Sequence, residues 1–228
     1  MTNHTEPKST TDLGQQYVID QLIPEGLTIL SGPAKSRKSI LCQQLCLEVS
    51  LGTKALGQFD VVAGSAIYVT TDDIEANWLQ RLEKMERYHG AEQRSPTNLY
   101  MMFDPPFGRW KQYDICDWLN DMKQNIPDLR LVVIDPFRPA YLSEYQEKAD
   151  KTFSELGRIA KEEHMAVVLV RLEAKSGPAV TTDGFDAVIS QKTDQDSIMG
   201  EITVKTRSRY SLAFDPQTLI NTAEAVVL

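Results

Sequence analysis

Residues 32–39 read GPAKSRKS. An apolar run, LTILS at 27–31, precedes them, and a helix-periodic segment follows from Ser39. A tight turn between strand and helix gathers backbone N–H groups around an anion, and the helix N-terminus adds partial positive charge. A Lys-Ser pair at the helix start supplies an ammonium for terminal phosphates and a hydroxyl for Mg2+. These features assign Gly32, Pro33, Ala34, Lys35, Ser36, Arg37, Lys38 and Ser39 to binding of a nucleoside triphosphate with Mg2+, Ser39 being a metal ligand. Arg37 departs from the pattern G-x-x-x-x-G-K-[ST], which has its second glycine there. A Cβ and a long side chain then enter where backbone must approach phosphate closely.

Carboxylates complete such a site. LRLVVID at 129–135 is an apolar strand ending in Asp135, the position from which a carboxylate holds Mg2+ through water. AIYVTTDD at 66–73 ends in Asp72 and Asp73, and Asp72 is the candidate for activating the attacking water. Aspartate is one methylene shorter than the glutamate that usually does this. Asp73, just before Ile74, alternatively caps the next helix. VVLVRLEAKSG at 167–177 places Arg171 or Glu173 at a strand end, either as a sensor of the γ-phosphate or as a surface residue. KTRSR at 205–209 reads as a hairpin tip. It is either a solvated turn or a loop that sends Arg207 into a neighbouring subunit's site, where an arginine stabilises transition-state charge. The catalytic set is thus Asp72, Arg171 and Arg207, and the metal set Ser39 and Asp135. Cys42 and Cys46 are four apart on a helix but have no second Cys/His pair, so core packing explains them better than a metal.

The elements that must position these groups alternate. Strands are expected at 27–31, 65–70, 99–103, 129–134 and 165–172, and helices at 39–50, 74–89, 113–124 and 148–163. In the first helix Ile40, Leu41, Leu45 and Val49 form one apolar face. Alternation of this kind implies an α/β fold with a mainly parallel central sheet flanked by helices. After Gly184 the short runs FDAVIS, EITVKT and YSLAF read as antiparallel strands extending the sheet edge. Residues 1–16 are polar and read as a flexible arm, with 17–228 as a single domain. The N-terminus lacks an apolar core and no apolar run is long enough to span a bilayer, so a cytoplasmic location and no membrane partner are expected. The net charge of −8 argues against a single copy gripping nucleic acid on its own.

Taken in order, LTILSGPAKSRKS, AIYVTTDD, LVVIDPFRP, VVLVRLEAKSG and the DAVIS…ITVKTRSR hairpin resemble the RecA-like P-loop ATPases that include the plasmid RepA-type hexameric replicative helicase. The resemblance covers about residues 20–215. It implies a RecA-like P-loop NTPase fold, an ATP ligand, and assembly of identical copies into a ring or filament. It also implies helicase-like work in DNA replication, recombination or mobile-element maintenance, with single-stranded DNA met by loops 137–151 and 173–184. Lys38, Ser39 and Asp135 match that family's binding residues. Asp72 stands where it has its catalytic Glu, and Arg171 and Leu172 where it has a histidine pair. Because these departures fall on motor positions, a nucleotide-binding regulatory or assembly protein without motor activity is the alternative.

Overall fold

The computed structural model describes residues 15–91, 98–107, 114–137, 146–173, 185–193, 197, 199–204 and 208–226. Five strands form its parallel centre: β3 (Gly26–Gly32), β4 (Ser65–Thr70), β5 (Leu99–Met102), β6 (Leu129–Asp135) and β7 (Ala166–Leu172). β3, β4, β6 and β7 are short, apolar and rich in β-branched residues, which suits strands buried on both faces, whereas β5, at the sheet edge, reads LYMM and is only partly buried. Four further strands, β8 (Ala187–Thr193), β9 (Met199–Val204), β10 (Ser208–Asp215) and β11 (Ile220–Ala225), complete a nine-stranded sheet. Its order is β11-β10-β9-β8-β3-β7-β6-β4-β5. A separate two-stranded piece pairs β1 (Tyr17–Ile19) with β2 (Ile23–Pro24).

The antiparallel part begins one strand later than the sequence pattern predicts. β8, which contains AVIS, runs parallel to β3 with Thr28 opposite Ala187 and Ser31 opposite Ser190. The chain leaves β7 at one end of the sheet and re-enters at the other. Phe185 lies against Phe153, and Asp186 N donates to Leu27 O at 2.7 Å. Alternation alone gives strand character but not direction, and the long connection makes the parallel return feasible. β9, β10 and β11 then follow as antiparallel neighbours.

Both faces of the sheet are covered. Helix α1 (Lys38–Leu51) and helix α2 (Glu75–Tyr88) lie on one side, and α3 (Ile115–Asn125) and α4 (Gln146–Glu162) on the other. Strand alternation divides the core accordingly. Tyr68, Leu131, Val133, Val168 and Val170 face α1, whereas Ile67, Val69, Val132, Ile134, Val167 and Leu169 face α3 and α4.

Helix α1 differs from the one-sided helix its apolar stripe suggests. Every residue from Leu41 to Val49 is buried, including Gln43, Gln44 and Glu48. The sheet covers one side, and α2, β11 and the β1–β2 piece cover the rest. The polar side chains persist because each finds partners: Gln44 Oε1 accepts from Asn221 N at 2.7 Å and Gln43 Nε2 donates to Trp78 O at 2.9 Å. Helix α1 is therefore enclosed at the centre of the fold from Leu41 to Val49.

Candidate functional site

The loop between β3 and α1 is built from both ends. Gly32 is required because a Cβ there would drive into the carbonyl oxygen of Gln191 on β8. Gln191, itself buried, donates through Nε2 to Ser36 O at 2.7 Å. Lys35 and Arg37 both take left-handed backbone conformations, at φ 62° and 65°. That conformation costs an L-residue roughly 1–2 kcal/mol. Arg37 thus accepts the turn that glycine would take without strain, and α1 starts at Lys38 with no side-chain cap on its N-terminus. The first-turn amides are left for another acceptor.

Arg37 borders the cleft onto which the loop opens, and its guanidinium is engaged on the C-terminal segments. Its guanidinium lies 4.3 Å from the centroid of the Phe214 ring on β10, and Nη2 donates to Ser197 O at 2.6 Å. Lys38 is buried and folds over its own loop, donating to Gly32 O at 2.9 Å, Pro33 O at 2.7 Å and Ser36 Oγ at 3.1 Å. Burial holds its ammonium below the ordinary lysine value, and the nearby Asp135 charge opposes that shift.

Asp135, at the end of β6, is buried beside Ser39. Its carboxylate accepts hydrogen bonds from the Ser39 hydroxyl and from Tyr68, whose OH lies 2.6 Å from Oδ2. Burial raises its pKa, the Ser39 and Tyr68 hydrogen bonds and the Lys38 charge lower it, and the Asp72 charge adds a further upward push. Ser39 and Asp135 form a hard-oxygen pair of the kind Mg2+ takes when phosphates and water fill its other positions. Among the described residues no cluster of three His, Cys, Asp or Glu side chains could cage a metal. By the chemistry of its two oxygen donors, the Ser39–Asp135 pair fits Mg2+ carried in with a nucleotide.

Lys38, Ser39, Asp72, Asp135, Arg171 and Leu172 line one cleft of about 450 Å3. That is within the size range of small-ligand sites. Asp72 is exposed on its rim. Asp73 does not cap α2. Its Oδ1 accepts from Ile74 N at 3.0 Å and its Oδ2 pairs with Arg81, while Ile74 takes the cap position without a side-chain bond. Arg171 and Leu172 are both at the cleft, but only Leu172 has the alternation of Val168 and Val170, which face α1. Glu173 turns towards β3 and β8, accepting from Ser31 Oγ at 3.4 Å and Ser190 Oγ at 3.5 Å. Arg207 lies outside the described residues, as do most of 137–151 and 173–184.

Three cleft-building residues escaped the sequence reading. Tyr68 reads as a strand residue, Gln191 falls just beyond the FDAVIS run and braces the loop without lining the cleft, and Arg81 reads as a residue of an amphipathic helix. Arg81 lines the cleft and also donates through Nε to Gln43 Oε1 at 2.9 Å. Only the polar character of Tyr68 inside an apolar strand offered any signal.

A Lys-Ser pair opening a buried central helix, a strand-end aspartate against it and a parallel core define a P-loop nucleotide-binding domain with a RecA-like fold. The AAA domain family model matches residues 9–178, and the chain belongs to that family. Among solved structures, the fold is similar to a KaiC-like protein from the hyperthermophilic archaeon Pyrococcus horikoshii OT3. The TM-score is 0.61 at 12% identity, over 91% of this chain and 93% of that one. No described helix is long and apolar enough to cross a membrane.

Proposed function

We propose that this protein binds ATP with Mg2+ and hydrolyses it slowly, as an assembly of identical copies working on DNA. The observation that carries the reading is the convergence of Lys38, Ser39, Asp135 and Asp72 on one cleft. Lys38 and the α1 amides bind the β- and γ-phosphates. Ser39 and Asp135 would hold Mg2+, which neutralises phosphate charge when bound. Asp72, exposed on the rim, orients and deprotonates the attacking water. Arg171 at the cleft, and Arg207 from a neighbouring copy, stabilise charge on the transferred phosphoryl group. Single-stranded DNA is contacted by loops 137–151 and 173–184 of several copies together, since one copy carries net charge −8.

Phosphate release measured with and without single-stranded DNA tests this. DNA-stimulated turnover that is lost in Lys38→Ala supports it. ATP binding with no turnover under either condition sinks the motor part. It would favour a second reading, a nucleotide-binding regulatory or assembly protein. That reading has its own observation: a short aspartate, on the exposed rim, stands where a water-activating carboxylate is needed.

A further inference from the structure

Two consecutive residues of the phosphate loop are fastened to β8, to the segment that follows it and to β10, all C-terminal to β7. Ser36 O accepts from Gln191 Nε2 of β8 at 2.7 Å. Arg37 reaches past the loop to the segment joining β8 and β9, where Nη2 donates to Ser197 O at 2.6 Å. Its guanidinium carbon sits 4.3 Å from the Phe214 ring centroid on β10. Phe214 is held in place by pairing with Asn221 of β11 and is nearly buried. A guanidinium over an aromatic face, with one N–H on a carbonyl, is an anchored group. Reaching a phosphate would require it to leave both partners. Arg37 is also the residue whose left-handed backbone, at φ 65° and ψ 23°, sets the turn into α1. The anchor is therefore applied at one of the loop's two strained residues, the one that leads into α1.

We propose that Arg37 is a positioning residue that locks the phosphate loop to the β8–β9 connection at Ser197 and to β10 at Phe214. Nucleotide affinity then depends on Phe214, a residue remote from the phosphates. The inference rests on the nucleotide reading above for its binding readout but not for its structural one. In this arrangement the anchor replaces glycine's conformational freedom: the side chain holds a backbone geometry that the residue type disfavours. It also makes the C-terminal strands part of the nucleotide site, so a partner that shifts β10 would alter the loop.

The test uses the full chain and four variants: Arg37→Ala, Arg37→Lys, Phe214→Leu and the Arg37→Ala/Phe214→Leu double. Two quantities are read: hydrogen exchange of peptides covering residues 32–41 without nucleotide, and the Kd for mant-ATP with Mg2+. Far-UV circular dichroism checks folding. Both single variants should speed loop exchange and weaken mant-ATP by roughly threefold to tenfold, the range a desolvated cation–π contact supports. The double variant should be no worse than either single one. Arg37→Lys should resemble Arg37→Ala, because an ammonium lacks the planar fork. Weakening by Arg37→Ala with Phe214→Leu at wild-type values in both readouts would make Arg37 a phosphate ligand and overturn the proposal. Effects that multiply in the double variant would overturn it too. If wild-type protein fails to bind mant-ATP, the nucleotide reading fails, and the exchange data alone still decide the anchor. If Phe214→Leu does not fold, Arg37→Lys decides: wild-type exchange and affinity in that variant count against the anchor.

Discussion

Tyr68 donates its hydroxyl proton to Asp135 Oδ2 across 2.6 Å. The two side chains come from neighbouring strands. Tyr68 pairs with Val133, so its ring and the Asp135 carboxylate project on the same α1-facing side, two residues apart in register. The hydrogen bond favours the ionised carboxylate against the burial that disfavours it. Tyr68→Phe removes that support and leaves the ring packing. Asp135 then titrates higher, so binding of Mg2+ with nucleotide should weaken by about threefold to tenfold at an acidic pH and less at an alkaline one, following the usual worth of a hydrogen bond to a charged group. Titrating Mg2+ against a fluorescent ATP analogue at both pH values checks this. Equal weakening at the two values would show that Tyr68 acts only through packing.

The paired aspartates after β4 should separate cleanly. Asp73 is tied to Arg81 and to Ile74 N, whereas Asp72 faces the cleft from its rim. Asp72→Asn should abolish most turnover with ATP affinity retained, and Asp72→Glu should raise turnover by restoring the missing methylene. Asp73→Asn should leave turnover chemistry intact but cost about 1 kcal/mol of stability, since the Arg81 pair is only partly exposed. Phosphate-release rates and thermal melts on the same preparations read both effects. Turnover lost in Asp73→Asn and kept in Asp72→Asn would reverse the assignment.

Much of this was legible in the sequence because it depends on local pattern. The apolar runs ending at Ser31, Thr70, Asp135 and Leu172 mark parallel strands, and their C-terminal ends are where an open α/β sheet gathers its site. Pairs brought together by register were not legible. Gln191 reaches Ser36 from 155 residues away, and nothing near either one signals the other. The same holds for Arg37 and Phe214. β1, β2 and β11 were missed for local reasons. β2 has only two residues, one of them proline, and β11 reads INTAEA, without a strand's apolar alternation. The parallel direction of β8 is not legible either, because alternation is silent on whether a strand runs parallel or antiparallel.

Gly32 offers a steric test of the loop. The carbonyl of Gln191 occupies the place a Cβ would take, and Gln191 is fixed by its own bond to Ser36 O. Gly32→Ala must therefore displace either the loop or β8. We expect a loss of about 1–3 kcal/mol, the usual cost of overpacking, and at least tenfold weaker ATP binding. Chemical denaturation and nucleotide titration measure the two. Unchanged binding would mean that the loop reaches its working shape without the Gly32–Gln191 contact.

Glu48 should make stability depend on pH through a residue of the central helix. It is buried on α1, where Oε1 accepts from Gln44 Nε2 at 2.8 Å and Oε2 from Leu56 N at 3.1 Å. His89 Nε2 lies 3.5 Å from Oε1. Burial raises the Glu48 pKa above its ordinary 4.5, and the hydrogen bonds only partly offset this. Between the unfolded and folded values the native state holds more protons than the unfolded one. Stability must then fall as pH rises through that window, and the penalty stays in place above it. Below pH 4.5 both states are protonated and Glu48 behaves as a neutral hydrogen-bonding group. Glu48→Gln keeps much of that bonding and cannot ionise. Its melting temperature should match wild type at acidic pH and exceed it increasingly as pH rises. His89 faces the same carboxylate, so the comparison is repeated in a His89→Gln background, where the divergence should persist. Parallel melting curves for wild type and Glu48→Gln across pH 4 to 8 would show instead that the charge is fully compensated by its partners.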